Sequence, residues 1–194
     1  DRDVVSAEHP SGIVKWYAEV FDANDELVAI ATVLTMVQKK QDTFVEMTEE
    51  TIQKCLNKLS SDIKPKWGTM TPQHMVEHLE YAYRIASGEI QDFEVSTPEK
   101  YLEKVHATLY NYEKMPRIYD FPLAKQSKIE SVKYDSLEMA KTKMLEARQN
   151  YLNYFKENPE AITRNVVFGE LNRYEWYLLE RKHLNHHFEQ FNLL

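Results

Sequence analysis

Along residues 12–21 (GIVKWYAEVF) apolar and polar positions alternate with period two. Val14, Trp16, Ala18 and Val20 share one face; Ile13, Lys15, Tyr17, Glu19 and Phe21 share the other. A polar stretch, DANDE at 22–26, precedes LVAIATVLTMV at 27–37. The second run is apolar on both faces, as in a strand buried within a sheet. Together they predict a β-hairpin. A lone hairpin is marginal in water, and this one carries more apolar surface than it can bury by itself. The rest of the chain offers no convincing further strand, so residues 1–40 read as the end of a larger β-domain cut just upstream.

From residue 48 the period changes to that of a helix. Ile52, Cys55, Leu56 and Leu59 form one stripe. Residues 71–87 open with Thr71 as N-cap and Pro72 in the first helical position, and Gly88 stops them. Thr97, Pro98 and Glu99 repeat that start signal ahead of Leu102, Val105 and Leu109. Residues 115–134 hold Pro116 and Pro122 and predict an irregular connection. Asp135 with Glu138 resembles a capping box, followed by the stripe Leu137, Ala140, Met144, Ala147, Tyr151 and Phe155. Asn172 with Glu175 signals the last helix, with Leu171 and Trp176 placed as a hydrophobic staple. Four main amphipathic helices predict a mainly α fold: an up-down four-helix bundle over residues 41–194, preceded by the hairpin of residues 1–40.

Composition narrows the function. The 194 residues carry 24 Lys plus Arg against 31 Asp plus Glu, a formal charge of −7. That balance argues against a nucleic-acid binder, which needs clustered positive charge, and against a polybasic membrane anchor. No apolar run approaches the ~20 residues of a membrane span. The single cysteine, Cys55, permits no internal disulfide and points to a reducing cytoplasm. It falls on an apolar stripe, as a small core residue does. The four glycines form no phosphate-cradling loop. The chain starts at Asp1 without a signal-peptide pattern, and reads as a fragment or a processed product.

The histidines are the informative feature. At 100° per residue, His78 falls inside the apolar stripe of Met75, Leu79, Ala82 and Ala86, and His74 lies at its edge. On the last helix Trp176, Leu179, His183, His187 and Gln190 share a face, with His186 toward its margin. Residues four apart on a helix stand one above the other, so His183 and His187 can converge on one ion, and His78 from a facing helix can complete a three-nitrogen site. Such a set leaves coordination positions open, as in a catalytic metal site, and three neutral imidazoles favour zinc, nickel or iron over magnesium or calcium. The competing reading is a set of core histidines, each satisfied by its own buried partner. Glu77, Glu80 and Glu175 are candidates to orient a ligand, although solvated helix faces suit them better. Tyr81, Tyr83 and Trp67 could line a pocket, with core packing the simpler role.

At these residues the chain resembles a known family. WGTMTPQHMVEHL (67–79) looks like the entry to the first ligand helix of DinB-like (YfiT-like) metal-binding bundles, and HLNHHFEQF (183–191) looks like their closing segment. The resemblance covers residues 44–194. It carries the family's ligands onto His78, His183 and His187, with His74 and His186 as alternatives that could replace a neighbour. Residues 1–40 resemble the last strands of a MaoC-like hotdog domain, through GIVKW (12–16) and AIATVLT (29–35). More narrowly they resemble the end of bifunctional phenylacetate-degradation proteins, in which a hydratase-type domain that opens oxepin-CoA follows an aldehyde dehydrogenase.

Three readings follow. The resemblance implies the C-terminal segment of a phenylacetate-catabolism hydratase or hydrolase acting on CoA thioesters, with an appended metal-binding bundle. Its partners are then the upstream hotdog and dehydrogenase domains and further copies in a homo-oligomer. The hydratase Asp and His would lie upstream of Asp1, so this chain would not perform that reaction alone. The second reading is a metal-dependent, thiol-using transferase or hydrolase within the bundle itself. The third is a non-catalytic assembly module whose histidines merely pack.

Overall fold

A computed structural model describes residues 2–3, 11–38, 44–117 and 131–194. The chain divides into two compact units, Asp1–Asp42 and Thr43–Leu194. The boundary expected after residue 40 lies outside the described residues, as do residues 118–130 of the irregular connection.

The first unit is an antiparallel sheet in the order β1 (Arg2–Asp3), β2 (Ser11–Phe21), β3 (Leu27–Gln38). Trp16 pairs with Val33 and Ala18 with Ala31, and a bulge at Val20/Phe21 ends the regular register. The turn is built by Asp22, whose Oδ1 accepts from the backbone N–H groups of Asn24 and Glu26 at 2.8 and 2.9 Å, while Asp25 takes a positive φ of 61°. Most of the hairpin's apolar residues whose burial is described are exposed, Trp16 at 58% and Leu34 at 64%.

The second unit is mainly helical. Its elements are α1 (Glu49–Lys58), α2 (Pro72–Ala86), α3 (Glu99–Ala107) with a 3₁₀ turn (Thr108–Tyr110), α4 (Leu137–Glu157), β4 (Ile162–Asn165), β5 (Gly169–Asn172) and α5 (Arg173–Gln190). The core is Ile52, Cys55 and Leu56 of α1, Met75, Val76, Leu79 and Tyr83 of α2, the whole expected stripe of α4, and Trp176, Leu184 and Phe188 of α5. Cys55 is a buried free thiol, pushed up in pKa by that burial.

Three sequence expectations change. First, α4 is capped by Ser136, whose Oγ accepts from Met139 N–H at 3.2 Å, rather than by Asp135. Second, β4 and β5 form an antiparallel pair that the sequence reading did not anticipate. Their strands are four residues each, too short to register as a period. The loop between them is set by Asn165 Oδ1, which accepts from Val167 and Phe168 N–H, and by the positive φ of Gly169. Third, the order of helix directions is not simple alternation. Glu77 meets Tyr134, Tyr83 meets Tyr151 and Gly88 approaches Tyr154, so α2 and α4 run the same way. The chain from residue 87 to 136 is long enough to return to the starting end before α4 begins. His78 meets His183 and Tyr83 meets Glu180, so α5 runs against both.

Candidate metal centre

The rotation of α2 is fixed at its start. Thr71 Oγ1 accepts from His74 N–H at 3.2 Å, and His74 Nδ1 accepts from Thr71 N–H at 3.4 Å, a reciprocal cap around Pro72. His74 is thereby engaged as part of the cap. With Met75 and Leu79 in the core, His78 comes to the side of α2 that faces α5. Helix α5 starts on Asn172, whose Oδ1 accepts from Tyr174 and Glu175 N–H, while Glu175 Oε2 accepts from Asn172 N–H at 2.9 Å. That cap, with Trp176 and Leu179 inward, turns His183 and His187 toward α2.

The three rings converge through the same atom. His78 Nε2 lies 2.8 Å from His183 Nε2, and His187 Nε2 lies 3.0 Å from His183 Nε2. The potential ligand atoms of the three residues all fall within 4.8 Å of one another, close enough to hold one metal ion. The group is His78, His183 and His187; His74 and His186 are not in it. The ring of His186 meets Trp67 edge-on, at 5.5 Å between centroids.

The protons can be counted. Gln190 Nε2 donates to the Trp67 carbonyl at 2.9 Å, which fixes its amide and leaves Oε1 facing His187 Nδ1, also at 2.9 Å. An amide oxygen only accepts, so His187 Nδ1 carries the hydrogen and a neutral His187 presents a lone pair at Nε2. His183 Nε2 can offer one proton or one lone pair, yet it has two nitrogen neighbours at contact distance. At most one proton serves three convergent nitrogens. A cation at their centre accepts three lone pairs instead. Nitrogens bound at ~2.0–2.1 Å with angles between ~90° and ~109° stand about 2.8–3.4 Å apart, close to the 2.8 and 3.0 Å that separate His183 Nε2 from its two neighbours. The donor set therefore fits a transition metal.

Electrostatics agrees. Burial, with His186 nearby, pushes His78 down to about 4. Burial and the neighbouring imidazoles push His183 and His187 well below the ordinary histidine value. All three are neutral at pH 7, the form a metal requires.

The sequence reading missed Gln190 as a ligand-orienting residue, although it placed Gln190 on the histidine face. It looked instead to three glutamates, and each is buried rather than solvated. Glu77 accepts from the N–H groups of Lys133 and Tyr134. Glu80 accepts from the Tyr134 hydroxyl. Glu175 accepts from the Tyr110 hydroxyl besides capping α5. They tie loops to helices. Tyr81 is exposed. Tyr83 is buried and donates to Glu180 Oε1 at 2.9 Å, which also accepts from Arg148 Nε at 2.8 Å. This link joins α2, α4 and α5 about one turn from the histidines. A cleft lined by Tyr151, Phe155, Tyr174, Tyr177 and Glu180 opens on its far side.

Comparison with protein families, curated proteins and solved structures returns no match to this chain.

Proposed function

We propose that the helical unit is a DinB-like bundle that holds one divalent transition metal (zinc, nickel or iron) through Nε2 of His78, His183 and His187. We propose further that it carries out metal-dependent transfer or hydrolysis. The observation that carries this reading is the meeting of three Nε2 atoms around a place where their own protons cannot satisfy them. The motifs at 67–79 and 183–191 support it by resemblance.

A metal in a three-histidine site polarises a bound oxygen or sulfur and lowers the pKa of a bound water or thiol. The chain's own part is to fix the ligands. Gln190 holds the His187 ring in the tautomer that frees Nε2. The Tyr83–Glu180–Arg148 link sets the distance between the two ligand helices. The three neutral imidazoles would leave the formal charge of a bound dication uncancelled.

Calorimetric titration of Zn²⁺ and Ni²⁺ into the chelator-treated chain tests the proposal. One equivalent should bind the wild type, with a rise in melting temperature, and none should bind His183→Ala at the same concentration. If the wild type takes up no metal, or binds it unchanged after His183→Ala, the assignment fails.

A further inference from the structure

The hairpin carries a surface the metal site does not explain. Val14, Trp16, Ala18 and Val20 of β2 stand across from Thr35, Val33, Ala31 and Ala29 of β3. These eight residues form one face without a charge. The opposite face carries Lys15 and Glu19 among its apolar residues. On the uncharged face Trp16 is 58% exposed, and Val20 and Val33 are each 50% exposed. Monomeric proteins rarely expose apolar patches beyond a few hundred Å².

We propose that this face is a homodimer interface, covered by the same face of a second copy of the chain. The area supports a second copy as occupant. The eight side chains at these exposures present on the order of 500–600 Å², the low end of what each partner gives to a specific interface. A charge-free face is complementary to itself, which a two-fold contact requires. Small residues, Ala18, Ala29 and Ala31, lie between the larger Trp16, Val20 and Val33, so two such faces can interdigitate at the ~10 Å spacing of packed sheets.

Sedimentation velocity of the full chain over a concentration series tests this. The wild type should reach twice the 23.0 kDa chain mass. Trp16→Glu with Val33→Lys puts opposite charges on cross-strand partners, which keeps the hairpin paired while charging its dry face; this variant should sediment as a monomer. Tyr17→Glu with Thr32→Lys makes the same change on the other face and should remain dimeric. A wild type that is monomeric throughout, or that forms open-ended aggregates, overturns the proposal. So does a dimer that survives Trp16→Glu with Val33→Lys, or one lost equally in both variants. Should a variant lose the hairpin, deuterium uptake of the wild type decides. Uptake over residues 13–35 that falls as concentration rises supports the dimer, and concentration-independent uptake overturns it.

Discussion

His183 Nε2 stands at contact distance from two other imidazole nitrogens and has one proton or one lone pair to give them. The consequence is a ranked set of effects. His78→Ala, His183→Ala and His187→Ala each remove a ligand and should reduce affinity for Zn²⁺ below detection in the titration that gives one equivalent for the wild type. Gln190→Ala leaves all three ligands but frees the His187 ring. Loss of such an orienting partner weakens metal binding by ~10–100-fold, measurable by chelator competition; an unchanged affinity would remove Gln190 from the site. The depressed pKa values set a pH dependence. The folded chain holds these histidines below the ordinary value, so the unfolded chain binds more protons as pH falls. Their contribution to stability is complete above pH ~6.5 and is lost as pH falls toward the value of about 4 at His78. Urea midpoints of the metal-free chain should decline across that window. The convergence of His78, His183 and His187 was legible in the sequence because helical spacing aligns them with core positions. Gln190 was passed over because a neutral amide carries no signal of what it will bond: His187 lies one turn away on the same helix, but the Trp67 carbonyl that fixes the amide is brought to it by tertiary packing.

At the level of elements, the helices were legible where caps and stripes agreed. Thr71 with Pro72, and Asn172 with Glu175, start α2 and α5 where the sequence places them. Replacing Asn172 by Ala removes the acceptor for two N–H groups, which typically lowers stability by ~1 kcal/mol, read from chemical denaturation. The β4–β5 pair was not legible, because what holds it is remote in sequence. Thr163 Oγ1 donates to the Ala86 carbonyl at 2.9 Å and accepts from Trp176 Nε1 at 2.8 Å. One buried hydroxyl thus links the end of α2, the strand pair and the start of α5. Thr163→Val keeps the shape and strands both partners, a change that costs ~1–3 kcal/mol. Thr163→Ser should recover most of that loss. A Thr163→Val variant as stable as the wild type would remove the hydroxyl from this role. The glutamates were misjudged for a related reason: Glu77 and Glu80 are buried because Lys133 and Tyr134 come back over α2 after the long connection.

Over the whole molecule, mainly helical architecture followed from periodicity, but helix direction did not. A stripe gives the face a helix buries and says nothing about which way its neighbour runs. The length of the intervening chain permits the parallel course of α2 and α4 that their contacts show. That course, with α5 running against both, is what sets His78 opposite His183. No described helix is long and apolar enough to cross a membrane. Metal that binds only the folded helical unit stabilises it by mass action, by ~2.7 kcal/mol at a free concentration one hundred times Kd. The most direct test of the central claim is the X-ray absorption spectrum of the zinc-loaded chain. Three imidazole nitrogens at ~2.0–2.1 Å should appear in the first shell, falling to two in His183→Ala if any zinc is retained. A first shell made of oxygen alone, or one unchanged by His183→Ala, would contradict the account.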